Sequence, residues 1–185
     1  MINKKPLPDL IKKLIIAIVG PSGSGKTTLG RYVSTHLGYN WICSYTTRPM
    51  RPEEVNGIDH QFVDVSEMPD KSKMMAYTLF GKYHYWTTFE QFNELPNVYI
   101  IDEKGLVEME QVIISKELHN YDILKVYVKR KNIDVDKDRI NRDNERDVLP
   151  ECYYDLVLEN DSDLDSFLNK SAKEISEVVN LIKGN

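Results

Sequence analysis

The stretch Leu14–Gly38, LIIAIVGPSGSGKTTLGRYVSTHLG, runs through three textures without a break. Its first six residues are apolar and mostly β-branched or leucine, as expected of a central parallel strand covered on both faces. Gly20–Thr27, GPSGSGKT, then satisfies the spacing G-x-x-x-x-G-K-[ST]. Beyond it Leu29, Val33 and Leu37 recur at helical spacing, and Gly38 supplies a stop. Strand, glycine turn and helix in that order predict an α/β P-loop fold, a parallel core sheet flanked by helices.

The chemistry of that loop follows from its composition. Glycines let successive backbone N–H groups turn inward around phosphate oxygens, and the helix start adds its positive end. Gly20, Ser22, Gly23, Ser24, Gly25, Lys26, Thr27 and Thr28 are therefore the candidate ATP-binding residues. Lys26 would carry a cation to the β- and γ-phosphates and Thr27 a hydroxyl to Mg²⁺. Asn97–Asp102, NVYIID, reads as a second buried strand ending in an acid. Asp102 is the second candidate Mg²⁺ ligand, directly or through water, and a solvent-facing strand-end acid is the bland alternative.

Ile123–Lys129, ILKVYVK, is a third strand for the same sheet, and YDLVLEND, from Tyr154 on, a last one. The C-terminal DLDSFLNKSAKEISEVVNLI reads as an amphipathic helix turning Leu164, Phe167, Leu168, Ile175, Val178, Val179 and Ile182 inward. At 185 residues, 41% hydrophobic and 29% charged, the chain has the composition of one globular domain and not of a disordered segment. Its net charge of −5 argues against general binding to nucleic acid or membrane surfaces, so any anion site must be local. Residues 1–13 look like a loose leader, and KKLIIAIVG is too short before its glycine turn, and lacks the cleavage pattern, for a signal peptide. Cys43 and Cys152 fit no metal or CxxC spacing and are expected to be reduced thiols of a soluble, cytoplasmic protein.

Residues 40–95 differ in texture, with short β-like pieces such as WICSYTT and HQFVDV among loops and aromatics, and predict an inserted subdomain. Its start carries Arg48 and Arg51, three residues apart. A phosphoryl acceptor has a negative charge of its own, which must be held in line with the donor and screened from it. The planar guanidinium binds phosphate oxygens bidentately and stays ionised, so both arginines suit that task. From Asp134 to Asp147 the chain is almost wholly charged, with Arg139, Arg142 and Arg146 on one helical face. A charged surface helix laced by Asp–Arg pairs would have the same pattern.

The stretch from Ser44 to Val63, SYTTRPMRPEEVNGIDHQFV, resembles the nucleotide-monophosphate segment of guanylate kinases, approximately S-x-T-T-R-x-x-R-x-x-E-x-x-G-x-D-Y-x-F. It matches at Ser44, Thr46, Thr47, Arg48, Arg51, Glu54, Gly57, Asp59 and Phe62. FGKYHYWTT, EKG after Asp102 and YYDLVLEND are similar to three further segments of that family, so the likeness covers most of residues 14 to 182. It implies one guanylate-kinase-like domain over 1–185: a core over 14–39, 96–129 and 149–185, an acceptor subdomain over about 40–95 and a lid over about 130–148. It implies a phosphotransferase that moves the γ-phosphoryl of Mg-ATP to a nucleoside monophosphate, GMP or dGMP first. Lys26, Arg48 and the lid's Arg139, Arg142 and Arg146 would be catalytic, and Ser44, Arg48, Arg51, His60, Tyr83, Tyr85 and Thr87 would hold the acceptor. Small-molecule nucleotides are then the partners, with no nucleic acid or membrane, and the chain is a monomer or a homodimer.

The match departs from the family in the acceptor half. Where guanylate kinases read guanine with a glutamate, this chain has Met75 or Ala76, depending on where the extra residue of GKYHYWTT is placed. Neither side chain accepts a hydrogen bond. His60 stands for a tyrosine and could bond phosphate if protonated. Trp86 stands for a glycine, and it or Tyr83 either stacks on a base or belongs to the subdomain core. Two other readings stay open: a kinase for another phosphorylated metabolite, such as another deoxynucleotide or a ribose bisphosphate, and a non-catalytic guanylate-kinase-like binding module.

Overall fold

The computed structural model describes residues 12–130 and 147–184. The first strand, β1 (Lys13–Val19), is the centre of a five-stranded parallel sheet. Leu14 through Val19 are each no more than 2% exposed, which is what a strand covered on both faces requires. On one side of it lie β7 (Asn97–Ile100) and then β2 (Asn40–Ile42). On the other lie β8 (Tyr121–Lys129) and β9 (Leu156–Glu159). The strand order is β2-β7-β1-β8-β9.

Alternate residues of β1 feed two cores. Leu14, Ile16 and Ile18 pack with Leu29 and Val33 of α1 (Lys26–Leu37) and with Phe167, Ile175 and Val179 of α3 (Leu164–Lys183). Ile15, Ala17 and Val19 share the opposite cluster with Leu106 and Met109 of α2 (Glu103–Ser115). Both clusters must form for the strand to be buried, so β1, which leads into the glycine loop, is held from both faces. Gly38 ends α1 with φ 68, a left-handed cap that glycine adopts without steric cost.

A second, mixed sheet has the order β4-β3-β6-β5, built from β3 (Tyr45–Thr46), β4 (Gln61–Phe62), β5 (Met74–Phe80) and β6 (Tyr83–Thr88). The piece WICSYTT is thus two strands in two sheets: the chain leaves the core sheet after Ile42 and enters the other at Tyr45. The second sheet therefore begins beyond residue 42. HQFVDV is strand only at Gln61–Phe62, because Asp64 caps a 3-10 turn by accepting from Ser66 N at 2.9 Å. Trp86 is 1% exposed and stacks on Tyr45 at 5.5 Å, which makes it subdomain core and not a stacking platform.

At the two ends of α3 the expected core face runs out. Leu164 is 54% and Ile182 41% exposed, since the first and last turns of the helix project past the cluster that buries its middle. The leader through residue 11 and the stretch 131–146, with Arg139, Arg142 and Arg146, lie outside the described residues. Cys43 is buried and Cys152 exposed, both unbridged. Among the described residues no helix is long and apolar enough to cross a membrane.

Candidate functional site

A cleft of about 650 Å³ opens between the two sheets. One wall is the glycine loop, with Gly20, Ser22 and Lys26. A second is the arginine segment, with Ser44, Arg48, Arg51 and His60, and a third joins β5 and β6 to the start of α2. Loop lysine and paired arginines, 22 and more residues apart in the chain, thus face one space.

The loop is shaped by what it touches. Gly25, the residue before α1, has φ 98, and a Cβ there would sit 2.6 Å from Asn160 Nδ2. Asn160 in turn donates to the Ser24 carbonyl at 2.8 Å, a buried bond that ties the loop to the end of β9. A glycine at the helix cap offers no side-chain acceptor, and no side-chain cap is present, so the first-turn N–H groups of α1 are left to an anion. Lys26 Nζ donates to the Pro21 carbonyl at 2.6 Å, which folds its cation back across the loop. Thr27 and Thr28 are exposed on the first turn of α1. Ser24 is fully buried, and its hydroxyl has no hydrogen-bond partner among the described residues.

Glu54 organises the arginine wall. Arg48 donates to both its carboxylate oxygens, at 2.9 Å and 2.7 Å, and to the Pro49 carbonyl at 2.8 Å. Glu54 also accepts from the Arg51 backbone N–H at 2.8 Å and faces the Arg51 guanidinium at 3.6 Å. Burial works to raise the Glu54 pKa, but the bonds from Arg48 and the Arg51 backbone outweigh it and hold the carboxyl below its usual range. Burial likewise works to lower Arg48, and its bonds to Glu54, with help from Tyr85, hold it up. The Arg48 guanidinium also lies over the Phe62 ring at 5.4 Å. The result is a pre-aimed cationic fork with its counter-charge behind it.

Around the fork the expected residues separate into two groups. Ser44 Oγ and His60 Nδ1 are hydrogen-bonded at 2.9 Å, and Tyr83 and Tyr85 both line the cleft. Burial, and then the charge of Arg48, push the His60 pKa down, so in the free protein the ring is neutral near pH 7. Thr87 is fully buried and does not line the cleft. Met75 and Ala76 are also buried, in the cluster beneath α2, so neither reaches the cleft. Asp102 lines it, and caps α2 by accepting from Gly105 N–H at 2.6 Å. Asp102 thus lies just past β7 and not within it.

Several residues of the site had no role assigned from the sequence. Glu54 and Asp59 carry the motif but no role of their own in the sequence; Asp59 pairs with Arg31 of α1 at 2.6 Å and accepts from Val55 N–H at 2.8 Å, fastening the arginine segment to the helix behind the loop. Asn160 carries the asparagine of the matched segment YYDLVLEND, which was the available signal. Thr78 and Tyr99 line the cleft with no motif to mark them, since they come from the middle of strands β5 and β7.

The guanylate kinase family model matches residues 12–179. The chain is similar to a guanylate kinase of Helicobacter pylori, 28% identical over 138 residues that cover 68% of this chain and 62% of that protein. It is 34% identical over 117 residues to one from Chlamydia caviae, covering 57% and 56%. The match to one from Nitrobacter winogradskyi is 38% over 78 residues, 40% of this chain and 36% of that protein. The aligned parts therefore span between a third and two thirds of these relatives. The crystal structure of guanylate kinase from Anaplasma phagocytophilum superposes with a TM-score of 0.57 at 15% identity, covering 92% of this chain and 86% of that one, a likeness of fold.

Proposed function

We propose, from the premise that this chain belongs to the guanylate kinase family, that it transfers the γ-phosphoryl group of Mg-ATP to a nucleoside monophosphate, with GMP or dGMP as first acceptor. The observation that carries the reading is that Lys26 and the Arg48–Glu54–Arg51 cluster line one cleft. A donor phosphate on the loop and an acceptor phosphate on the arginines would then approach within one space. In-line transfer needs no covalent intermediate, so the protein's task is to position both groups and stabilise charge. Lys26 would swing from the Pro21 carbonyl to the β- and γ-phosphates, and the uncapped N–H groups of α1 would cradle the rest of the donor. Arg48 and Arg51 would take the acceptor phosphate, with Tyr85 and the Ser44–His60 pair at its edge. Asp59 and Arg31 would keep the acceptor wall in register with α1. Arg139, Arg142 and Arg146 are proposed to neutralise the transferring group from the lid.

Thr27 and Asp102 would hold the Mg²⁺. They offer only oxygen, which suits a hard cation, and no cluster of three or more His, Cys, Asp or Glu that could cage a metal occurs among the described residues. That combination fits an ion bound largely through substrate phosphates and water. When bound, it would neutralise charge on the phosphate oxygens. The reading is completed by a cytoplasmic location, where nucleotides are at hand. It is tested by ADP release from Mg-ATP against a panel of nucleoside and deoxynucleoside monophosphates and ribose bisphosphate. Turnover with GMP or dGMP is expected; turnover with ribose bisphosphate alone, or none with any acceptor, would refute it.

A further inference from the structure

The two charged walls of the cleft belong to different layers: Lys26 opens α1 on the core sheet, whereas Arg48 and Arg51 lie between β3 and β4 of the second sheet. In-line transfer needs the two phosphates at a fixed distance and direction, so the arginine segment must be held to α1. The foot of that segment is the turn Val55–Asp59. Ile58 N–H and Asp59 N–H donate to the Val55 carbonyl at 3.1 Å and 3.0 Å, and Val55 N–H donates to Asp59 Oδ2 at 2.8 Å. Two side chains from core elements hold the turn. Arg31 Nη2 of α1 donates to the other carboxylate oxygen, Asp59 Oδ1, at 2.6 Å, and Trp41 Nε1 of β2 donates to the Ile58 carbonyl at 3.3 Å. The two supports also brace each other. The Arg31 guanidinium lies over the Trp41 ring at 6.0 Å, and Gly30 admits the indole to α1, since a Cβ there would sit 2.9 Å from Trp41 Cζ3. Arg31 is aimed at Asp59 at a cost to its own Nε–H, which is buried without a hydrogen-bond partner among the described residues.

We propose that Arg31, acting through Asp59 and braced by Trp41, is a positioning residue for phosphoryl transfer: it fixes the acceptor arginines against the helix of the donor loop, and so governs the rate of transfer rather than the affinity for either nucleotide. The inference rests on the nucleoside monophosphate reading above. Each phosphate site keeps its own shape when the pair is lost, because Glu54 sets Arg48 and Arg51 from within their segment and Asn160 ties the loop. What goes is the register between the two sites, so kcat should fall while both KM values hold. The side chains of the pair are 41% and 26% exposed, and a pair so open to water contributes little to stability.

The test reads kcat, both KM values and Tm in Arg31→Gln, Asp59→Asn, their double variant and Arg31→Lys, by coupled ADP release and by melting. Asparagine keeps an oxygen for Val55 N–H, so the turn survives the loss of charge. In each single variant kcat should fall by roughly three- to tenfold, with the KM of ATP and of GMP held within about twofold and Tm within about 3 °C. The double variant should fall no further than the slower single one, since both remove the same bond. Arg31→Lys can remake one charged bond to Asp59 Oδ1 and should restore most of the rate. An unchanged kcat in Arg31→Gln, losses that multiply in the double variant, no recovery with lysine, or a lowered Tm or raised acceptor KM with kcat held would overturn the inference while leaving GMP turnover standing. Absence of wild-type turnover with every nucleoside monophosphate would overturn the functional reading, and this one with it.

Discussion

Replacing Arg48 by lysine keeps the positive charge and removes the fork. In the free protein the guanidinium makes two bonds to Glu54, at 2.9 Å and 2.7 Å, one to the Pro49 carbonyl at 2.8 Å, and a face contact with Phe62 at 5.4 Å. An ammonium can keep one bond to Glu54 but cannot hold both oxygens and the carbonyl at once. The side chain is only 11% exposed, so water replaces little of what is lost. One charge-assisted bond at about 1.5 kcal/mol and a ring contact at about 0.5 kcal/mol give a loss of roughly 2 kcal/mol. For a chain of this size that is a fall in Tm of about 4–8 °C. On the functional side, losing the bidentate grip on the acceptor phosphate should cost about 1.4–2 kcal/mol, or roughly 10- to 30-fold in acceptor KM. The KM of ATP should stay within about twofold, because the loop is untouched. Coupled ADP release, with GMP and ATP varied in turn, separates the two. A rise in the KM of ATP with that of GMP unchanged would refute the assignment of the two phosphate sites.

Lys26→Ala should leave the fold intact and lower kcat by a factor of about 10³ or more, read by ADP release beside an unchanged circular dichroism spectrum; an unchanged kcat would remove Lys26 from the mechanism. Gly25→Ala places a methyl 2.6 Å from Asn160 Nδ2 at φ 98 and should lower both Tm and ATP affinity, measured by melting and titration calorimetry. The folded protein binds a proton at His60 less readily than the unfolded chain does, so the unfolded state gains protons first as pH falls. The stability this site contributes is therefore present above about pH 6.5 and lost as pH drops through the lowered folded value, with Glu54 adding a like loss below 4.5. Melts from pH 8 to 5 should show Tm falling below about 6.5, and His60→Asn should flatten that limb.

The elements legible in the sequence are those with a periodicity of their own. β1 is apolar throughout because both its faces are covered, α1 carries Leu29 and Val33 one turn apart, and Gly38 ends it where expected. The split of WICSYTT between two sheets has no such signature, since Asn40–Ile42 and Tyr45–Thr46 are both short β-prone runs and only their partners, β7 and β6, distinguish them. Leu164 and Ile182 keep helical spacing with the buried face of α3, yet exposure at helix ends depends on how far the opposing core extends. The protonation of His60, left conditional in the sequence, depends on burial and Arg48, which act on it only in the folded chain.

By itself the sequence determined the glycine loop, because it is a local object: eight consecutive residues fix the turn, and the strand before and the helix after follow directly. It also marked Arg48, Arg51 and Glu54, which lie within one turn-rich segment. Only the tertiary structure decided what lines the rest of the cleft. It buried Met75 and Ala76, brought Thr78 of β5 and Tyr99 of β7 beside Asp102, and placed Asn160 against a loop 136 residues before it. These groups are far apart along the chain and meet through strand order and the packing of two sheets, so no short motif encodes their meeting.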